Sequence, residues 1–327
     1  MDIILADASG AEEQFIPYDV DIEVGGQNTF EITLSYADFD GSLDFGKRIY
    51  EPDTEHGGII NDIEASTVTE RIQVRGYTWR GYLAHRIIEP PEGEGYRVVS
   101  GEANAIIAEI IGDSFGELFV ASSEDSGCTI DSYQFNRYVT MIDGLNAMLA
   151  TQGYKLSIRY KQTDESGYVL IEAVPAENYG DDIDISQDYN LDFMNRDYRM
   201  GVNHLICLGE GELAERSVIH LYADADGNIS HEQTFFGLDE IAETFVYTLA
   251  DAEMLEQAGT DRLKELLSFK SFSASVRDID EIDLTIGDTI TGRDYITGTV
   301  VTKPIVRKIV KRENGLETVD YKIEGEY

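Results

Sequence analysis

The sequence predicts a β-rich α+β protein in which two small antiparallel β-barrel domains flank an intervening α/β domain. Three observations lead there. Short runs of alternating apolar and polar residues fill both ends of the chain, the period lengthens to that of amphipathic helices between them, and glycine, proline and acidic clusters mark the changes. The expected domains are an N-terminal β-barrel over 1–92, a small α/β domain over 93–182, and a C-terminal β-barrel domain over 183–327 with a helix near 251–267.

Taken in order, Asp19-Val20-Asp21-Ile22-Glu23-Val24 alternates strictly, and Phe30-Glu31-Ile32-Thr33-Leu34 follows the turn-forming Gly25-Gly26-Gln27-Asn28, so a hairpin is expected. Alternating runs at 59–64, 70–77 and 82–88 supply strands enough for a small barrel, which Pro90-Pro91 and Glu92-Gly93-Glu94-Gly95 end. From Glu102 the period is helical. Ala105, Ile106 and Ile110 share one stripe, and a second helix over 136–152 carries Val139, Ile142, Leu145, Met148 and Leu149, with Gly153 as its C-cap. A hairpin over 155–160 and 168–173 completes the middle domain. After Gly180-Asp181-Asp182 come strands at 204–209 and 217–223, a hairpin tip at Asp224-Ala225-Asp226-Gly227-Asn228, and the helix near 251–267. Runs at 272–277, 289–292, 299–309 and 319–323, separated by Gly287-Asp288 and Glu313-Asn314-Gly315, form the closing barrel.

Composition narrows the function. Lys and Arg number 25 against 63 Asp and Glu, a formal net charge of −38 that repels phosphates and anionic lipid heads alike. DNA as a bound ligand and membrane insertion are therefore not expected. With 42% hydrophobic residues and 10% aromatics the chain has the material for packed cores. Cys128 and Cys207 stand far apart without a CxxC or Cys/His spacing, so neither a disulfide framework nor a zinc site is indicated. The opening Met-Asp-Ile-Ile-Leu-Ala-Asp has no basic stretch and its apolar run breaks at Asp7, so a signal peptide is not expected.

No motif for catalysis stands out. Among so many carboxylates a glycosidase pair can always be imagined, but its separation is not readable from sequence, and no HExxH or Cys/His set accompanies it. His56, His85, His204, His220 and His231 form no HxH or HxxxH pair, and His204 and His220 fall on separate predicted strands, which favours structural histidines over metal ligands. Asp224-x-Asp226-Gly227-Asn228 resembles the start of a calcium loop, yet its spacing is wrong for an EF-hand and a hairpin tip needs the same residues. Calcium is thus the only cofactor any motif suggests. Gly209-Glu210-Gly211-Glu212 reads as a tight turn, since its glutamates would repel a phosphate. Trp79, Tyr77 and Tyr82 could present a sugar-stacking platform, although alternation favours an interior or subunit contact.

Two segments carry a family resemblance. In Ile72-Gln73-Val74-Arg75-Gly76-Tyr77-Thr78-Trp79-Arg80-Gly81-Tyr82-Leu83-Ala84-His85-Arg86-Ile87-Ile88-Glu89-Pro90, a strand and a glycine are followed by a short turn, a leucine and Arg-Ile leading to a proline. In Val202-Asn203-His204-Leu205, continuing to Gly209-Glu210-Gly211-Glu212-Leu213-Ala214-Glu215-Arg216, a strand leads into Gly-x-Gly-x and an arginine. Both resemble the hub or tail-associated proteins of siphophage tail tips, which are similar in turn to the trimeric baseplate hubs of contractile tails. The order of predicted elements agrees along nearly the whole chain.

The resemblance implies a non-enzymatic structural hub with Gly76, Arg86, Gly209, Gly211 and Arg216 in assembly or structural roles. It implies a homotrimer whose two barrels per subunit build a ring of approximate sixfold symmetry, with the middle domain toward the spike or fibres. Its implied partners are the distal-tail or tail-tube ring protein, the tape-measure protein, and a spike, fibre or receptor-binding protein, with DNA passing through unbound. The implied place is the virion tail tip, assembled in the host cytoplasm, and because this chain stops at Tyr327 any receptor-binding or cell-wall-degrading activity is expected on another polypeptide. The alternatives are an acidic calcium- or carbohydrate-binding module and a glycoside or peptidoglycan hydrolase.

Overall fold

The computed structural model describes residues 2–163, 166–179, 184–185, 191–247, 252–267, 269–277, 284–293, 296, 298 and 300–326. Its N-terminal part lays down β1 (Ile4–Ala6), β2 (Glu12–Phe15), β3 (Asp19–Val24), β4 (Thr29–Ser35), β5 (Arg48–Tyr50), β6 (Gly57–Ser66) and β7 (Arg71–Thr78). Burial alternates along β3 and β4 as the sequence pattern requires, and the two pair antiparallel with Ile22 opposite Phe30. At their turn Gly25, with φ +89°, donates its amide to Asn28 Oδ1 at 2.7 Å.

Residues 82–84, expected to open a strand over 82–88, instead belong to helix α1 (Trp79–Ala84). The cause is packing: the Trp79 ring is wholly buried and stacks on Tyr160 at 5.3 Å, which a strand continuing β7 would not allow. Beyond β8 (Ile87–Ile88) and β9 (Val98–Glu102) comes α2 (Ala103–Ile111), capped by the Glu102 carboxylate, which accepts from the Ala105 amide at 2.8 Å. After β10 (Phe119–Ala121), β11 (Thr129–Gln134) and β12 (Val139–Thr140), α3 (Met141–Ala150) starts several residues later than the periodicity suggests. Its boundary is set by Thr140, whose hydroxyl accepts from the Asp143 amide at 3.2 Å while donating to the Asp143 carboxylate at 2.6 Å. The hairpin of β13 (Tyr154–Gln162) and β14 (Gly167–Pro175) follows, and β10 joins β14 in parallel to make a three-stranded sheet, order β10-β14-β13.

Then come β15 (Asp184–Ile185), β16 (Leu191–Tyr198), β17 (His204–Leu208), β18 (Val218–Ala223), β19 (Ile229–Ser230), β20 (Ala242–Val246), α4 (Ala252–Leu266), β21 (Phe269–Arg277), β22 (Thr289–Arg293), β23 (Val300–Glu313) and β24 (Leu316–Glu326). The chain divides into two compact units, one of Met1–Asp192 with Ala274–Glu324 and one over Phe193–Ser273. In the smaller unit a four-stranded sheet, order β19-β18-β17-β20, packs Leu205, Cys207 and Leu221 against Leu255 and Leu263 of α4.

The two-barrel arrangement is not what forms. None of the sheets among the described residues closes on itself, and the C-terminal strands extend the N-terminal sheet along the path β24-β23-β3-β4-β7-β6-β5-β1-β2. The reason lies in β23. It is 14 residues long, paired antiparallel to β24 on one side and to β3 on the other, with Val310 opposite Ile22 and Lys311 opposite Asp21. Its basic residues meet the acidic alternation of β3: Lys311 Nζ lies 2.5 Å from Asp21, and Arg312 donates to the Ile16 and Tyr18 carbonyls at 2.5 and 2.9 Å.

Three buried or nearly buried cations tie the larger unit together. Arg80 Nε donates to Glu55 at 2.5 Å and its Nη2 reaches the Leu156 carbonyl of β13 at 3.2 Å. Arg48 donates to the Gly167 and Ala8 carbonyls at 2.7 and 2.6 Å. Lys155 pairs with Asp288 and donates to Thr285 Oγ1 at 2.5 Å.

Two predictions come from this packing. In Arg80→Ala the Glu55 carboxylate is left buried without its cation, so urea unfolding should show a loss of about 3–5 kcal/mol, most of it regained in the double variant Arg80→Met/Glu55→Leu. A loss below about 1 kcal/mol in the single variant would remove the tie. The second concerns acid. Burial pushes the Glu31 carboxyl up, but hydrogen bonds from Arg75, Gln73 and Thr33 outweigh it and hold it below the usual range. A lowered folded-state value means the stabilisation is complete above the unfolded value of about 4.3 and is lost as pH falls through the folded one. Thermal melts should therefore show Glu31→Gln losing less stability than the parent between about pH 5 and pH 3.

Candidate functional site

The residues singled out in the sequence fall into the two units. Gly76 lies within β7, where a Cβ would stand 2.0 Å from the Ile59 carbonyl and 2.7 Å from the Phe30 ring, so its role is close approach of neighbouring strands. Arg86, just past α1, donates to the Ser114 carbonyl at 3.4 Å and sits 5.5 Å over the Phe115 ring. Its partners are a carbonyl and an aromatic face in place of the carboxylate one would look for in so acidic a chain.

Gly209, Gly211 and Arg216 come together in the connection between β17 and β18. The Gly209 amide donates to the Ser217 carbonyl at 2.8 Å, and Arg216 Nε donates back to the Gly209 carbonyl at 3.2 Å. Gly211 has φ +96°, and a Cβ there would meet the Glu215 carbonyl at 2.5 Å. The Gly-x-Gly spacing thus serves a loop that folds back on itself and is fastened by the arginine.

A cluster the sequence did not reveal lies on the sheet face of the smaller unit opposite α4. His204 Nε2 and His220 Nδ1 are 2.8 Å apart, and His204 Nδ1 is 2.6 Å from Glu240 Oε1. Tyr222 stacks on the His204 ring at 4.3 Å. His204 is buried while His220 is exposed. Sequence reasoning put the two histidines on separate strands, which is correct, but the register that pairs His204 with Tyr222 and Ile206 with His220 brings them onto one face. Their meeting depends on the register of β17 against β18, which no single stretch of sequence states.

Asp224 is occupied by its own turn. Its carboxylate accepts from the Asp226 and Asn228 amides, each at 2.9 Å, and from the Asn228 side chain at 2.9 Å, which together hold it below the usual carboxylate range. Among the described residues no group of three or more His, Cys, Asp or Glu is placed to hold a metal ion. Both thiols are buried, which pushes Cys128 and Cys207 up and away from reactivity. Trp79 is interior, leaving Tyr77 and Tyr82 edge to face at 6.1 Å.

The larger unit carries a cleft of ≈ 940 Å³ beside the β10-β14-β13 sheet, lined by Arg48, Arg159, Lys161, Tyr168, Glu124 and Glu172 among others. Its cations are committed internally: Arg48 to carbonyls, Arg159 to Glu172, and Lys161 to Asp53. The arrangement offers polar contact, with the Ser9 hydroxyl of the lining donating to the Asp7 carboxylate at 2.6 Å.

No protein-family model matches the sequence, and no curated protein sequence does. Solved structures do match, end to end. The fold is similar to the 43 kDa tail protein of prophage MuSo2 from Shewanella oneidensis, at 14% identity, 99% of this chain, 98% of that one and a TM-score of 0.55. It is similar to the tail protein from Neisseria meningitidis MC58, at 10% identity, 99% and 97% coverage and a TM-score of 0.51. It is also similar to a chain of the phage P2 baseplate in its activated conformation with Ca, at 10% identity, 98% of both chains and a TM-score of 0.55. The fold is that of phage tail and baseplate proteins, the group to which the two sequence segments pointed.

Arg86 and Gly211 should respond differently to substitution. Arg86→Ala removes an exposed contact and should cost no more than about 1 kcal/mol in denaturant unfolding. Gly211→Ala forces a side chain into a left-handed backbone already in contact with Glu215, and should cost about 1–3 kcal/mol, with faster amide exchange across residues 209–217. Equal, negligible effects at both positions would contradict the placement of the loop.

Proposed function

We propose that the chain is a non-enzymatic structural subunit of a phage or phage-like tail, the homotrimeric hub of its tip or baseplate. In this role it joins the tail-tube or distal-tail ring to the spike, fibre or receptor-binding protein. The tape-measure protein ends at it, and DNA passes through without being bound. Its place is the virion tail tip, after assembly in the host cytoplasm. The observation that carries this reading is likeness over the entire length: 98–99% of this chain aligns with 97–98% of tail and baseplate chains, even at 10–14% identity.

The physical character of the chain supports it. A ring subunit must keep its shape while neighbours pull on it, and here the first and last strands share one sheet while buried cations bridge distant segments. The net charge of −38 suits a wall past which DNA must slide, because cationic walls would bind phosphates and release counterions. Repulsion across a wide hydrated bore is screened within about 8 Å at physiological salt, so it centres the duplex without blocking it. A band of carboxylates is accordingly expected along the threefold axis.

Light scattering during size-exclusion chromatography, with and without a tail-tube or distal-tail ring protein, tests the assembly. A mass of three chains is the expected outcome; a monomer at high micromolar concentration even with the ring protein present overturns it. A structure of the trimer whose axial surface proved neutral or basic would remove the channel argument.

A further inference from the structure

We propose that His204 and His220 form a binding site for a divalent transition-metal ion, with Glu240 orienting His204 from behind. The inference rests on side-chain geometry alone and is independent of the hub reading. The two rings project from adjacent antiparallel strands onto the sheet face opposite α4, and their nitrogens Nε2 and Nδ1 are 2.8 Å apart. Two metal–nitrogen bonds of about 2.0–2.1 Å at a tetrahedral angle place such nitrogens about 3.3 Å apart, so accommodating the ion takes a shift of roughly 0.5 Å. His220 is exposed and can make that shift; His204, buried and stacked on Tyr222, provides the fixed half of the site.

The second observation is the carboxylate. Glu240 Oε1 stands 2.6 Å from His204 Nδ1, and in the tautomer that donates from Nδ1 to this carboxylate the lone pair of Nε2 points toward His220. Metal-binding histidines are held in this way, by a carboxylate on the ring nitrogen away from the ion. Binding requires the lone pairs of both His204 Nε2 and His220 Nδ1, so any hydrogen shared between the two nitrogens moves to His220 Nε2 when the ion enters.

Ligand type sets the metal class. Two imidazoles suit Zn²⁺, Ni²⁺ or Cu²⁺, whereas Ca²⁺ and Mg²⁺ require oxygen ligands. No third protein ligand converges among the described residues, so water completes the coordination. His231 stays outside: its Nδ1 is 3.1 Å from the His220 carbonyl and its Nε2 is 2.9 Å from Glu256 of α4.

A chain with 63 carboxylates takes up cations at many places, so the test must identify nitrogen ligands. Electron paramagnetic resonance of the full chain with one equivalent of Cu²⁺ should show coupling to two imidazole nitrogens, and Zn²⁺ should compete it away. His220→Ala, an exposed change that leaves the core intact, should lose the two-nitrogen signal. Glu240→Gln should keep the signal while weakening Zn²⁺ binding about 10- to 100-fold by calorimetry. A spectrum without nitrogen coupling, or one unchanged in His220→Ala, overturns the site.

Discussion

The larger unit depends on one pairing, that of β23 with β3. It joins segments almost the whole chain apart: the Asn314 amide donates to the Asp19 carboxylate at 2.8 Å across 295 positions. Burial supplies most of the energy. Val20, Ile22 and Val24 are at most 2% exposed, and each contributes roughly 1.5–3 kcal/mol relative to solvent exposure. The surface pair Lys311–Asp21 contributes at most about 1 kcal/mol. Its value lies in register, because a slip by one residue would turn the apolar set of β3 to solvent and set Lys311 beside a valine or isoleucine.

The scarce cations follow a consistent pattern of use. Only 25 Lys and Arg face 63 acids, yet several are spent inside the larger unit on carbonyls and single carboxylates. A buried charge is tolerable only when its geometry and remaining hydrogen bonds are satisfied, and Arg48 and Arg80 reach backbone carbonyls from segments far away in sequence.

Fold likeness at 10–14% identity over whole chains is consistent with this division of labour. Alternation, turn chemistry and core volume tolerate wide substitution, while a few backbone approaches, such as Gly76 against Ile59, admit little.

Much of the local structure was legible in the sequence, because it is decided within a few residues. The β3–β4 hairpin, the β13–β14 hairpin, the turn at Asp224 and helix α4 lie where period and turn residues put them. Residues 82–84 were misread as strand because an alternating run cannot reveal that the preceding Trp79 will stack on Tyr160, from a segment 81 residues later. The same blindness produced two barrels from strands that form one sheet. Alternation states that a strand has a buried face and is silent about its neighbour, and the complement between Asp19, Asp21, Glu23 and the basic run of β23 becomes decisive only once both are strands. His204 and His220 were visible as residues and invisible as a pair, since their meeting depends on the register of β17 against β18. Sequence by itself determined the elements and the acidity; tertiary structure alone decided which elements pair, because that choice is made by the fit of distant faces and not by any residue's neighbours along the chain.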